Sequence, residues 1–484
     1  MSAERSPADP SFPGLEVASN PELMREVFRK HLRPLGKKAY RVQECRIVRL
    51  RHQQAFRRVL QYALRIEEPG TGREWSQWVT GTMYAGGRTR GLWEELRRSK
   101  SGGEVLDASS AFAPFRWIRK KRWRSEPGRK TLDAYSAFAP FFYIPDLNMW
   151  VQVFPFDRRL LALPLLMEGP PPQLEPLLLA RFGPGDWQIE AWDVEPVRYL
   201  AEMRATLRLA VRVRDATTGR AEERRFYAKI YHDKEKGEQT YWLLRTLWDK
   251  ASAGGEGFTV GRPIAYLSGL RTLIQEEVSG TPFRDVLLRD DEATPVVRKV
   301  ARALAALHLD HGVTLRYRLP WKEKEVATLE RVGELLQRVC PHLRPTIEET
   351  VSAIVAGFEE VPTGPIHGDF RPDHIILDGD RVVLLDLDDF AEADPVLDVA
   401  RILSYLVNAA PLLQHRRARA AAQTFVAEYF AHVPEAWRAR LPLHYAGALL
   451  KTAGAVFRRQ ATDWPDKIEA LVEEAKDSLA GRVW

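Results

Sequence analysis

The chain has 484 residues, more than one hydrophobic core ordinarily covers, so two or three domains are expected. With 45% hydrophobic and 28% charged residues its composition is globular, which excludes a disordered or collagen-like chain. The net charge of +7 comes from 72 basic against 65 acidic residues, a mixed surface that argues against nucleic acid as the partner and suits an anionic nucleotide.

The opening stretch, MSAERSPADPSFPG, is rich in Pro, Ser and charge, and predicts a loose arm to about residue 20, within an N-terminal arm of 1–38. It has no apolar signal core, and no later run approaches the ~18 apolar residues that span a membrane. A cytoplasmic protein without a membrane partner is expected. Cys45 and Cys340 stand alone, in no metal-ligand or disulfide pattern, and read as buried and inert.

From residue 51 the sequence repeats itself. RHQQAFRRVLQYALRIEEPGTGR at 51–73 and RYLAEMRATLRLAVRVRDATTGR at 198–220 align without a gap at an offset of 147. Arg51, Arg57, Leu60, Ala63, Arg65, Thr71, Gly72 and Arg73 match Arg198, Arg204, Leu207, Ala210, Arg212, Thr218, Gly219 and Arg220. Both copies alternate apolar and polar residues, turn at Thr-Gly and resume with an aromatic strand, a β-hairpin pattern. The chain is therefore expected to carry two versions of one small β-rich lobe. Lys229 of the second version aligns with Thr82 of the first, and Glu238 with Gly91, so only the second keeps a lysine–glutamate pair.

A tighter repeat lies between them, DASSAFAPFRWI at 107–118 and DAYSAFAPFFYI at 133–144. Its joint at 119–130 is strongly basic, and Trp117 and Trp123 could stack on bases; a solvated joint of a tandem duplication is the reading favoured. Pro170, Pro171 and Pro172 mark a domain edge. The expected domains are the arm at 1–38, a degenerate lobe at 39–168 with the repeat inserted at 107–144, a nucleotide-binding lobe at 169–280, and a helical lobe at 281–484.

Further along, VRKVARALAALHLDHGV has helical spacing, with His308 packed at its end. The chemistry is concentrated at 367–390, HGDFRPDHIILDGDRVVLLDLDDF. Asp378-Gly379-Asp380 between two apolar runs predicts a tight hairpin, which would bring Asp369 and Asp386 from either end toward one cleft. Two carboxylates so placed suit metal-assisted phosphoryl transfer, one taking the proton of an attacking hydroxyl and the other holding the metal.

HGDFRPDH, followed by LLDLDDFAEADPVLDVA, resembles the aminoglycoside phosphotransferase and choline kinase group. The resemblance implies an α+β, protein-kinase-like two-lobed fold with a β-rich N-lobe and a helical C-lobe, preceded here by the degenerate N-lobe copy. It implies Asp369 as catalytic base, with His367 and His374 in the catalytic segment, and Asp386 as principal metal ligand with Asp388 as helper. Lys229 would bind the α- and β-phosphates of ATP and Glu238 would orient it, with Glu235 competing for that role. The backbone of Glu276, Glu277 and Val278 would hold the adenine. Mg²⁺ is the implied metal, with Mn²⁺ as the alternative, and a small hydroxylated molecule is the implied acceptor, against helices in 401–480.

Two departures stand out. The stretch RYLAEMRATL at 198–207, expected to cover the phosphates as a loop, has no glycine, so Arg198 or Arg204 would have to compensate by charge. His374 occupies the place of the group's asparagine, and an imidazole is a poor Mg²⁺ ligand. It could bond Asp369 or a phosphate, or accept Mn²⁺. An ATP-dependent kinase for a sugar, aminoglycoside-like compound or polyol is the expectation; a non-catalytic nucleotide-binding regulator is the alternative.

Overall fold

Alternating residues and a Thr-Gly turn produce the same hairpin twice. The computed structural model, which describes residues 11–35, 38–53, 56–101, 137–254, 257–289, 293–310, 312, 320–408, 415–459 and 463–483, contains two five-stranded sheets. In the first, β1 (Arg41–Gln53), β2 (Arg57–Glu68), β3 (Arg73–Tyr84), β4 (Phe141–Ile144) and β5 (Met149–Val153) lie in the order β1-β2-β3-β5-β4. The second is built from β6 (Trp187–Leu200), β7 (Arg204–Asp215), β8 (Ala221–Tyr231), β10 (Pro263–Leu267) and β11 (Thr272–Glu276) in the order β6-β7-β8-β11-β10, while β9 (Thr259–Val260) joins a different sheet.

The two orders are the same, and so is the register. Each pairing of β2 with β3 from Arg57↔Tyr84 to Glu67↔Glu74 recurs 147 residues later, from Arg204↔Tyr231 to Arg214↔Ala221. Both turns place glycine in the left-handed region, at φ +68° for Gly72 and +73° for Gly219, where a side chain would be strained. The Gly72 and Gly219 amides donate to the carbonyls of Glu68 and Asp215 at 2.9 and 2.8 Å.

Tertiary contacts divide the chain into two compact units. The first comprises Met1–Lys234, Tyr266–Ile274 and Arg458–Gln460, and the second Glu235–Ala265, Gln275–Phe457 and Ala461–Trp484. The boundaries expected near 168 and 280 are not the ones these contacts make, because a polar network joins both sheets inside the first unit. Asp157, 0% exposed, accepts from the Tyr199 hydroxyl at 2.8 Å and the Glu202 amide at 2.7 Å. Glu202 accepts from Arg57 and from Arg158, the latter at 2.9 Å. Burial would raise the Glu202 carboxyl, but Arg158 and Arg57 outweigh it and hold the group below the usual carboxylate range.

The N-terminal segment also differs from expectation. Residues 11–35 are no loose arm: helix α1 (Pro21–His31), capped by Asn20 accepting from the Glu22 and Leu23 amides at 3.0 and 3.2 Å, packs on β1. Its Met24 and Phe28 are fully buried, and Phe28 meets Tyr62 edge-on at 5.1 Å. Each such side chain contributes ~1.5–3 kcal/mol by leaving water. The basic joint at 119–130, Trp117, Trp123 and most of the repeat at 107–144 lie outside the described residues.

Helix α2 (Arg88–Ser101) follows β3, and α3 (Lys234–Ser252) follows β8. In the second unit, β12 (Thr281–Pro282), β14 (Ile375–Asp378), β15 (Arg381–Leu384) and β9 form a small sheet in the order β12-β14-β15-β9. β13 (Gly364–Ile366) pairs with β16 (Ala391–Ala393). Around these strands lie α4 (Thr294–His308), α5 (Trp321–Val339), α6 (Arg344–Ala356), α7 (Val396–Asn408), α8 (His415–Phe430), α9 (Leu441–Arg459) and α10 (Trp464–Leu479). The helical spacing read in α4 is realised, with Val297, Val300, Leu304 and Leu307 buried and α8 packed against it. The α+β class is the one the sequence implied.

Candidate functional site

The segment at 367–390 begins and ends in loops held together by a buried carboxylate. Asp398, 1% exposed on the first turn of α7, accepts from the His367 amide at 2.5 Å, the Gly368 amide at 2.9 Å and His308 Nε2 at 3.2 Å. Burial opposes its charge, yet the hydrogen bond from His308 and the neighbouring imidazoles and amides prevail, keeping its pKa below the usual range. His308 also contacts the Tyr429 hydroxyl at 2.6 Å, so it is the packed helix-end histidine expected.

The loop carrying Asp369 touches the loop carrying Asp386 so closely that only glycine fits between them. Gly368 has φ +80°, and a Cβ there would lie 2.1 Å from the Asp389 carbonyl oxygen. Asp386 itself is left-handed, φ +58°, which is uncommon outside glycine. Between the loops, β14 and β15 form the predicted hairpin, Asp378 paired with Arg381 across Gly379 at φ +57°.

His367 braces this arrangement. Its Nε2 donates to the Leu385 carbonyl at 2.8 Å, and the Asp369 amide donates to its Nδ1 at 3.3 Å. With 0% exposure and both nitrogens bonded to backbone, it ties the two loops together and is not placed to touch a substrate, which corrects its expected catalytic role.

Asp369, His374 and Asp386 come together: one ligand atom of each lies within 4.8 Å of the others. His374 Nδ1 is 3.7 Å from Asp369 Oδ2 and its Nε2 is 3.5 Å from Asp386 Oδ2. The side chains of Asp369 and Asp386 are 17% and 15% exposed. Asp388 is buried in the turn Leu387–Asp389, and its neighbour Asp389 pairs with Lys236 at 3.1 Å. The carboxylate oxygens suit a hard cation such as Mg²⁺, whereas the imidazole nitrogen does not.

Two arginines that the sequence reading did not single out flank Asp369. Arg371 Nε lies 3.5 Å from its Oδ2 and Arg401 Nε 3.6 Å from its Oδ1. Arg371 also reaches His374 Nε2, from Nη2 at 2.8 Å and Nε at 3.1 Å, and the Tyr405 hydroxyl at 3.4 Å. Arg371 is two residues past Asp369, and Arg401 lies on α7 one turn past Asp398, so their proximity to the motif was the available signal.

Tyr405, within the 401–480 region expected to hold the acceptor, is therefore near the site. Tyr445 and Phe457 are not: both are core residues, the first bonded to Glu474 at 2.7 Å, the second edge-on to Trp464 at 5.1 Å.

The residues expected to bind the donor fall in both units. In the first unit, Thr206 on β7 is the cross-strand partner of both Arg198 on β6 and Lys229 on β8, so Arg198 and Lys229 share one face of the sheet. Arg204, two residues before Thr206, is on that face as well. The stretch 198–207 is not a loop: it is the end of β6, a turn at Ala201–Met203, and the start of β7. The reason is Glu202, left-handed at φ +63° and 2% exposed, whose carboxylate and amide are both bonded. Glu235 and Glu238, near the start of α3, and Glu276, Glu277 and Val278, at the end of β11 and beyond, belong to the second unit; Glu235 is exposed and the others are partly buried.

Residues 208–443, just under half of the chain, match the model described as the phosphotransferase enzyme family. No curated protein matches the chain. Among solved structures, similar ones include the ADP-bound aminoglycoside phosphotransferase APH(2'')-Ib, at 14% identity and TM-score 0.37 over 59% of this chain and 94% of that one. A choline/ethanolamine kinase family protein from Mesorhizobium loti is 14% identical, TM-score 0.39, over 59% and 88% of the two chains. A choline kinase from Cryptosporidium parvum Iowa II is 10% identical, TM-score 0.41, over 60% and 89%. Residues 208–443, which contain the HGDFRPDH and LLDLDDF motifs, are thus similar to the phosphotransferase enzyme family.

Proposed function

We propose that the protein transfers the γ-phosphoryl group of ATP to a hydroxyl of a small polar molecule such as a sugar, aminocyclitol or polyol. The observation that carries this reading is the meeting of Asp369 and Asp386 with their oxygens among the partly exposed atoms of one cluster, inside the matched family region. Asp369 accepts the proton of the attacking hydroxyl, and its place is held by His367, Gly368 and Asp398. Asp386, with Asp388 behind it, would hold Mg²⁺, which when bound supplies positive charge to the donor's phosphates. Lys229, Arg198 and Arg204, sharing a face of the second sheet, are the cations proposed for those phosphates, and Glu276 to Val278 are proposed for the base; ATP rather than GTP remains part of the proposal.

The test is a screen with γ-labelled ATP and Mg²⁺ against a panel of hydroxylated acceptors, repeated with Asp369→Asn. A general base of this kind contributes ~10²–10⁴-fold, so turnover should fall at least that far while ATP affinity is kept. Equal turnover of Asp369→Asn and wild type on the acceptor found would refute the assignment. One observation favours a second reading, a non-catalytic nucleotide-binding regulator: His374 offers a bonded imidazole at the position where the resemblance implies an asparagine. ATP binding without transfer to any acceptor in the panel would favour that reading.

A further inference from the structure

His374 replaces an amide that the resemblance assigns to metal, but its neighbours give it another partner. A guanidinium only donates hydrogen bonds, so His374 Nε2, 2.8 Å from Arg371 Nη2 and 3.1 Å from Nε, must be the acceptor. The opposite nitrogen then carries the proton and donates to the Asp369 carbonyl oxygen at 3.0 Å. One nitrogen therefore accepts and the other donates, the pattern of the singly protonated ring. Its only free lone pair is directed at the guanidinium and is not available to a cation.

Arg371 is fixed on three sides. His374 holds Nε and Nη2, the Tyr405 hydroxyl lies 3.4 Å from Nη1, and the Tyr405 ring lies 5.5 Å from the guanidinium carbon. Its side chain is 11% exposed, so water screens its charge little. Held there, Nε is 3.5 Å from the Asp369 carboxylate. A hydroxyl attacking under Asp369 lies within ~2.6–3.2 Å of that carboxylate. Its phosphorus target is then ~3–3.5 Å further on. A guanidinium beside the same carboxylate is within side-chain reach of the phosphoryl oxygens.

We propose that Arg371 is a catalytic residue of the transfer, neutralising the phosphoryl group as it moves, and that His374 is a positioning residue that aims Arg371 and does not ligate metal. The proposal rests on the phosphotransferase reading above. In the step itself, the acceptor oxygen bonds to the γ-phosphorus and the bond from that phosphorus to the bridging oxygen breaks. The hydroxyl proton passes to Asp369 and the nucleoside diphosphate leaves with the bridging electron pair. Arg371 forms and breaks no covalent bond. Arg401, on the other side of Asp369, is a second cation nearby but is more exposed, at 25%.

The experiment uses ADP and Mg²⁺ with and without fluoroaluminate, a planar mimic of the moving phosphoryl group, and reads binding by thermal shift on the whole protein. Wild type should gain stability from fluoroaluminate beyond that given by ADP and Mg²⁺. Arg371→Ala should keep its ADP–Mg²⁺ affinity and lose on the order of 100-fold in affinity for the fluoroaluminate complex, the loss expected for removing one charge-stabilising donor. Arg371→Met, closer in volume, carries the same expectation should the alanine variant fold poorly. His374→Ala should behave like Arg371→Ala with an unchanged Mg²⁺ requirement. His374→Gln, whose carbonyl oxygen can accept from Arg371, should restore the gain. Retention of the gain in both Arg371 variants overturns the proposal, as does a raised Mg²⁺ requirement in His374→Ala, which would make the imidazole a metal ligand. Wild type that binds ADP–Mg²⁺ without any fluoroaluminate gain overturns it too, leaving the nucleotide site intact; wild type that does not bind ADP–Mg²⁺ overturns the proposed function as well.

Discussion

Asp394 shows what the acidic residues around the site do when they are not reacting. It caps α7 by accepting from the Val396 amide at 3.0 Å, and it receives Arg440 at 2.7 Å and His444 at 2.8 Å. Burial would raise its pKa, but His444 and Arg440 outweigh it and depress the group strongly. A carboxyl depressed on folding contributes stability that is fully present above its unfolded pKa of ~3.9, declines progressively below it, and is gone once pH has fallen through the folded value. Urea unfolding at pH 6 and at pH 3.5 should therefore show a drop in stability on acidification that Asp394→Asn reduces; an equal drop in the variant would contradict the assignment. The capping role was legible, because Asp followed by Pro at a helix start has a local signature. Arg371 was not legible as a partner of His374. Their spacing in the sequence was plain, but which way two side chains in a loop turn depends on Asp369 and Tyr405, the latter 34 residues from Arg371.

Among elements, the two hairpins were the most readable part of the fold. Alternation, a Thr-Gly turn and an unbroken offset fixed strand, turn and register together, and the structure reproduces each of them. The turn between β6 and β7 was misread for the opposite reason: its conformation is imposed from 145 residues away, where Arg57 meets Glu202. Arg158 meets the same carboxylate, and the three side chains are 8%, 2% and 15% exposed. Removing one member leaves buried charge without compensation, at a cost of ~3–5 kcal/mol. Glu202→Ala should lower the unfolding free energy by that order. Glu202→Gly, although glycine suits φ +63°, should be destabilised as well, since it too lacks the carboxylate. A change below ~1 kcal/mol in both, measured by urea denaturation, would show that the network adds little.

For the whole molecule, length and composition predicted several domains, and the contacts make two units whose division departs from the predicted one. The departure has a physical cause: Pro170 to Pro172 lie inside the first unit, where Leu174 and Leu178 beside them are fully buried. Proline marks the end of an element and need not mark the end of a core. No helix among the described residues is long and apolar enough to cross a membrane. The family match begins at Arg208, within the second sheet, and leaves the first sheet outside it. The repeated order and register support the proposal that the first sheet is a second copy of the same lobe, lacking the lysine at Thr82.

The central claim is that this chain binds a nucleotide through Asp386 and a divalent cation in order to transfer its phosphate. The measurement that tests it most directly is a thermal-shift titration of wild type and Asp386→Ala with ATP, in the presence and absence of Mg²⁺. Ligand at 100 times its Kd should add ~2.7 kcal/mol of stability. The account predicts an upward shift in wild type that requires the metal and is lost or much weakened in Asp386→Ala. No shift in wild type with Mg²⁺ or Mn²⁺, or an undiminished metal-dependent shift in Asp386→Ala, would contradict it.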